Sequence, residues 1–172
     1  MNKLLTVLVL IAICCFSGFA QQTRRNIALE ATASSNSEFK QMPMYLASNV
    51  IDGNCSNKGH GKDFPSWGPD LIPDPWLKLE WKQDVQIDSV TVYIRCDFPP
   101  YQPKEHDSWW KSGTLEFSNG EKTPFKLQKT ADAQTIAVPP QMIRWLKFTD
   151  LVAASNTWCG FCEVEVMGQA AE

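Results

Sequence analysis

Residues 95–110, Arg-Cys-Asp-Phe-Pro-Pro-Tyr-Gln-Pro-Lys-Glu-His-Asp-Ser-Trp-Trp, concentrate the side chains best equipped for chemistry in this 172-residue chain. Their three prolines suit neither a strand ladder nor a helix interior, so the stretch is expected to be an ordered, irregular loop. Loops held by a rigid framework are where binding usually resides. Arg95, Asp97 and His106 can exchange hydrogen bonds with hydroxyl groups, while Trp109 offers a flat apolar face. With His60 and Trp67 from an earlier loop they form the set expected to contact a carbohydrate, whose C–H faces pack on aromatic rings. One exposed site of this kind supports a Kd of about 1 mM to 1 μM, roughly 4 to 8 kcal/mol. The plainer reading is that a large ring fills the core, and that Arg95–Asp97 and His106–Asp107 are pairs that stiffen the loop. Successive side chains of an extended backbone face opposite sides, so one of Trp109 and Trp110 is expected inside.

Catalysis has little support. There is no Gly-x-Ser-x-Gly elbow, no His-Glu-x-x-His and no glycine-rich phosphate loop. Asp70, Asp74, Asp97, Glu105 and Asp107 supply carboxylates that a small hydrolase would need, but acids are common in loops. Cys55, His60, Cys96, His106, Cys159 and Cys162 contain ligand types suited to zinc. Only one CxxC pair is present, so a tetrahedral site would need separate loops to meet.

The elements that position these groups follow from patterning. Met-Asn-Lys, an apolar run over residues 4–16 and Ser17-Gly18-Phe19-Ala20 read as a signal peptide over residues 1–20. That run is too short to span a bilayer, which takes roughly 20 apolar residues. An exported protein, periplasmic or extracellular, is therefore expected, with residues 21–172 forming one domain. Those residues carry 15 basic and 19 acidic side chains, a formal charge of −4. Nucleic acid, which requires a basic footprint, is thereby disfavoured as a partner. The domain keeps Cys55, Cys96, Cys159 and Cys162. Export makes oxidation possible, and four cysteines allow three full pairings among which the sequence does not choose.

Period-two alternation predicts strands over residues 76–81, 87–94, 113–117, 123–127, 135–138, 144–148 and 161–167. Residues 26–29 read as a short opening strand and residues 31–35 as a small-residue turn. Residues 45–51 suit one helical turn or a buried corner before the Asp52-Gly53-Asn54 turn. Residues 55–75 lack periodicity and read as a long loop. No amphipathic helix of any length is evident, so the class is all-β and the architecture a two-sheet antiparallel sandwich.

Taken in order, Asn26-Ile27-Ala28-Leu29 with Ala31-Thr32-Ala33-Ser34-Ser35, Asp52-Gly53-Asn54, Pro75-Trp76-Leu77-Lys78-Leu79-Glu80-Trp81, Ile87-Asp88-Ser89-Val90-Thr91-Val92-Tyr93 and Glu163-Val164-Glu165-Val166-Met167-Gly168 carry a family likeness. The chain resembles the discoidin, or coagulation-factor type C, family, which includes family 32 carbohydrate-binding modules and fucose-binding lectins. The resemblance implies a galactose-binding-like jelly roll whose loops at one end meet a sugar, a lectin-like function without catalysis. A protein or cell-surface adhesion module using the same loops is the alternative. It also implies a structural calcium ion at Asp52, Asn54 and Glu163. The long intervals over residues 55–74 and 95–110 depart from the family pattern.

Overall fold

The computed structural model describes residues 23–56, 63–70, 72–96, 109–154 and 159–170. Its strands are β1 (Arg25–Asn26), β2 (Thr32–Ser35), β3 (Leu77–Ile94), β4 (Trp110–Phe117), β5 (Lys122–Lys126), β6 (Gln134–Ala153) and β7 (Phe161–Ala170). Helical structure among the described residues is confined to short 3₁₀ turns at Ala28–Glu30, Phe39–Gln41, Pro43–Tyr45 and Ala47–Ile51. All pairing among the described strands is antiparallel.

Two long strands build both layers. The first part of β3, Leu77 to Glu80, pairs with β2 on one side and with Phe148 to Trp145 of β6 on the other. Beyond a register shift, residues 85–92 of β3 pair with residues 134–143 of β6 and residues 85–94 with β7, which carries β1 at its edge. One layer is thus β2, β3, β6, β4 and β5, and the other is β1, β7, β3 and β6, with the two long strands passing from layer to layer. The 76–81 and 87–94 segments are therefore one bent strand, as are 135–138 and 144–148. Pro139 and Pro140 lie inside β6 where the β3 register shifts between Ile87 and Ser89, the irregularity at which a missing N–H is tolerated.

Two local expectations change. Residues 32–35 form a strand and not a turn, because Thr32, Ala33, Ser34 and Ser35 pair with Glu80, Leu79, Lys78 and Leu77. The opening strand is only Arg25–Asn26, because Asn26 turns its side chain onto the backbone: its Oδ1 accepts hydrogen bonds from the N–H groups of Ala28 and Val166, each 3.0 Å. The core between the layers takes the inward residues of every long strand, among them Leu77, Leu79, Val90, Val92, Leu115, Phe117, Leu146, Phe148, Val164 and Val166. Each such side chain contributes about 1.5–3 kcal/mol of burial.

Candidate functional site

At one end of the sandwich the ladder between β3 and β7 runs past its last strand residues. The N–H of Arg95 donates to the Gly160 carbonyl (3.1 Å), and Trp67 pairs with Phe161 through two backbone hydrogen bonds of 2.9 and 3.1 Å. This pairing fixes the fate of Trp67. Its ring has no exposed surface, stacks between Phe161 (6.0 Å) and Trp110 (6.3 Å), and donates its Nε1–H to the Ser37 carbonyl (3.0 Å). Trp67, expected as a sugar contact, is instead a pillar of the core; the indole N–H found a backbone carbonyl, so the whole ring could be buried without an orphan donor.

Trp110 is the inward member of its pair at 5% exposure, and Trp109 is half-buried against the core edge. That division follows the alternation of an extended backbone. Arg95 is only 6% exposed. Its guanidinium lies over the Tyr45 ring at 5.2 Å, and its side chain occupies a slot made by two glycines. A Cβ on Gly68 would lie 3.2 Å from Arg95 Nη1, and one on Gly160 would lie 2.8 Å from Arg95 Cδ and 2.2 Å from the Trp67 carbonyl oxygen. Arg95 is held beneath the surface, where it orders the Tyr45 segment, and does not stand open as the sequence reading has it. His60, Asp97 and His106 lie outside the described residues.

The structure adds a rim that the sequence reading did not single out. The 3₁₀ turn Phe39–Gln41 is tied to this end by the Phe39 N–H, which donates to the Gly68 carbonyl (2.8 Å), and Phe39 meets Tyr45 edge-on at 5.6 Å. Glu38 Oε1 accepts from the Ala47 N–H (2.8 Å) and braces the following turns. Lys40 and Gln41 are exposed and have φ of 48° and 52°, a left-handed conformation that non-glycine residues adopt at a cost of order 1–3 kcal/mol. Lys40 Nζ sits 5.1 Å from the Phe39 ring centroid. Phe39, Lys40 and Gln41 thus present an aromatic and polar edge beside the buried Arg95–Tyr45 pair, and Trp109 adjoins Trp110, which stacks on Trp67. Only the aromatics of residues 36–45 hinted at it, since the turns have no periodicity.

A second cluster lies on β7. Glu163, opposite Tyr93 in the ladder, is 1% exposed. Its Oε1 accepts from the Gly53 N–H (3.2 Å), while its Oε2 is buried with no hydrogen-bond partner. Gly53 has φ of 81°, which suits glycine at the turn that aims its N–H at the carboxylate. Asp52 Oδ1 accepts from the Asn54 N–H (2.8 Å), and Asn54 Oδ1 from the Ser56 N–H (3.1 Å). Burial first, and then the charge of Asp52, push the Glu163 carboxyl up to about 8, and burial also raises Asp52. Asp52, Asn54 and Glu163 are therefore brought together. An orphaned carboxylate oxygen beside a second carboxylate is relieved by a hard cation. Among the described residues no three His, Cys, Asp or Glu side chains converge as a metal set, so a cation held here would draw further oxygens from amide or backbone carbonyls and water.

The layers and the crossing strands define a galactose-binding-like β-sandwich of the discoidin type. The chain belongs to the family DUF7402, a domain of unknown function, whose model matches residues 26–167. No curated protein sequence matches it. Among solved structures it is similar to a fucolectin from striped bass (Morone saxatilis) serum, with a TM-score of 0.67 and 20% identity over 87% of this chain and 50% of that one. A family 32 carbohydrate-binding module of C. perfringens NanJ in complex with galactose gives a TM-score of 0.62 and 18% identity, covering 84% and 99%. The lectin domain of lectinolysin, complexed with Lewis B antigen, gives 0.63 and 17%, covering 83% and 95%.

Proposed function

We propose that this chain is a non-catalytic carbohydrate-binding module that meets its sugar at the end of the sandwich bearing Phe39, Lys40, Gln41 and Trp109. The observation that carries the reading is the strained, exposed Lys40–Gln41 turn, held beside an aromatic edge on a buried Arg95–Tyr45 support. Strain maintained at an exposed polar turn is a mark of function, and the aromatic edge suits a pyranose face. Sugar complexes of structures with this fold support the choice of ligand class. Asp97, His106 and His60 are proposed as further sugar contacts, with Arg95 acting from beneath. A calcium ion at Asp52, Asn54 and Glu163 holds the turn against β7 and takes no part in the recognition. Residues 1–20 direct export. No described helix is long and apolar enough to cross a membrane.

Glycan-array screening of the full chain, followed by calorimetric titration of the best glycan, tests this reading. Saturable binding with a Kd of about 1 mM to 1 μM is expected, weakened about 10-fold or more in W109A and F39A. Equal affinity in both variants overturns the placement of the site, and release of hydrolysed product from the bound glycan overturns the non-catalytic reading.

A further inference from the structure

We propose that Cys96 and Cys159 form a disulfide that staples the ends of the β3–β7 ladder beside the candidate site. Ile94 and Phe161 are ladder partners, and the Arg95 N–H to Gly160 carbonyl bond flanks them on the side facing the chain's next residues. The assigned ladder ends at Ile94 and Phe161; carrying its register two residues further, past the Arg95–Gly160 bond, sets Cys96 opposite Cys159. Because the hydrogen bond belongs to the Arg95–Gly160 level, the neighbouring cysteine level is of the non-hydrogen-bonded kind, in which opposed Cα atoms approach to about 4.5 Å. That lies within the roughly 4.4–6.8 Å that a disulfide spans. The side chains agree with the register, since Cys96 and Cys159 are 0% and 2% exposed and both belong to the core cluster, of which Cys162 is not a member.

The same geometry disfavours the competing links. Residues 159–162 enter β7 with Gly160 and Phe161 both bonded across to neighbouring chain. An extended backbone places residues three apart at about 10 Å, too far for a Cys159–Cys162 bridge. Cys162 is near enough to Cys96 and Cys55 to feel their charges, but it sits at the register irregularity between the Tyr93 and Ile94 levels, two to three residues along β3 from Cys96, roughly 7–10 Å along the strand.

Forming the bridge from two cysteine thiols is an oxidation. A small or protein disulfide, R–S–S–R, is the oxidant: one cysteine thiolate attacks it and expels RS⁻, and the second cysteine thiolate attacks the mixed disulfide and expels the other. Two electrons pass to the oxidant, which leaves as two thiols with the two cysteine protons. Burial pushes the Cys159 thiol up to about 12, so the folded chain offers little thiolate and the exchange belongs to folding, before the strand ends close.

The test is to refold the reduced full chain with oxidised and reduced glutathione, alkylate the remaining thiols, and map the peptides without reduction. Trypsin separates Cys96 from Cys55, and chymotryptic cleavage after Phe161 separates Cys159 from Cys162. The expected product joins the Cys96 peptide to the Cys159 peptide in the wild type and in C55S, and is lost on reduction. A link from Cys159 to Cys162, from Cys96 to Cys162, or from Cys55 to either Cys96 or Cys159 overturns the proposal, as does alkylation of Cys55, Cys96, Cys159 and Cys162 alike.

Discussion

Replacing Glu163 with glutamine separates what burial does to this carboxylate from what a cation would do for it. In the folded chain the carboxyl is held up to about 8 against an ordinary value of 4.5, by burial and then by Asp52. Between those values the folded state keeps a proton that the unfolded state has released. Stability from this group is therefore fully present below about pH 4.5 and is lost as pH rises through about 8. At 1.36 kcal/mol per pH unit the ionised form costs on the order of 5 kcal/mol at alkaline pH, an upper value. Glutamine has the same shape, keeps a carbonyl oxygen for the Gly53 N–H and never ionises. In chelator, E163Q is expected to melt close to the wild type near about pH 5. Near about pH 9 it should melt higher by up to roughly 10–20 °C, at about 2–4 °C per kcal/mol for a domain of this size. Calcium supplies the missing charge, so it should raise the wild-type Tm at alkaline pH and leave E163Q unmoved. Scanning calorimetry across pH, with and without calcium, reads both effects. Parallel pH profiles for the two proteins would refute the buried-charge argument, and a calcium response that survives in E163Q would refute the assignment of the cation.

Two further substitutions probe the other end. G160A places a Cβ 2.2 Å from the Trp67 carbonyl oxygen and 2.8 Å from Arg95 Cδ; overpacking of this kind is expected to lower stability by about 1–3 kcal/mol or more, and a denaturation midpoint equal to the wild type would mean that the slot is looser than described. K40G removes the left-handed strain at Lys40 and should leave stability within about 1 kcal/mol of the wild type or raise it, while glycan affinity falls; a loss of stability with unchanged affinity would assign the turn to the framework.

The fold was legible because its signals are regular. Leu77, Leu79, Val90, Val92, Leu146 and Phe148 alternate with polar neighbours, and alternation marks the buried face of a strand whatever its partners. What alternation does not encode is continuity through an irregularity, so β3 and β6 each read as two strands when bulges let one strand serve both layers. Residues 32–35 read as a turn because small residues favour turns, yet tertiary pairing with β3 overrode that preference. The site was legible only as a collection of residue types. Burial distinguishes Trp67 from Trp109, and burial depends on which backbone each indole meets. The 3₁₀ turns bearing Phe39 and Tyr45 lack any period that would announce them, and their strain exists only in three dimensions.

The distribution of buried charge ties the two clusters to one structural cause. Glu163 lies opposite Tyr93, and Arg95 is two residues farther along the same β3–β7 ladder. Both are almost fully enclosed, at 1% and 6% exposure, although an apolar side chain at either position would avoid the desolvation cost of a charge. Core packing alone does not explain them, because the neighbouring levels are filled by Val92, Ile94, Phe161 and Val164 without polar atoms. Each polar group does something that an apolar residue could not: Glu163 anchors the Asp52–Gly53–Asn54 turn by accepting a hydrogen bond from the Gly53 N–H, and Arg95 lies against Tyr45 in the Gly68–Gly160 slot. The ladder end thus fixes two irregular segments through buried polar groups, where regular hydrogen bonding stops and apolar packing cannot specify direction. A recognition surface built from loops needs that kind of support, since contacts are selective only when their geometry is held before the ligand arrives.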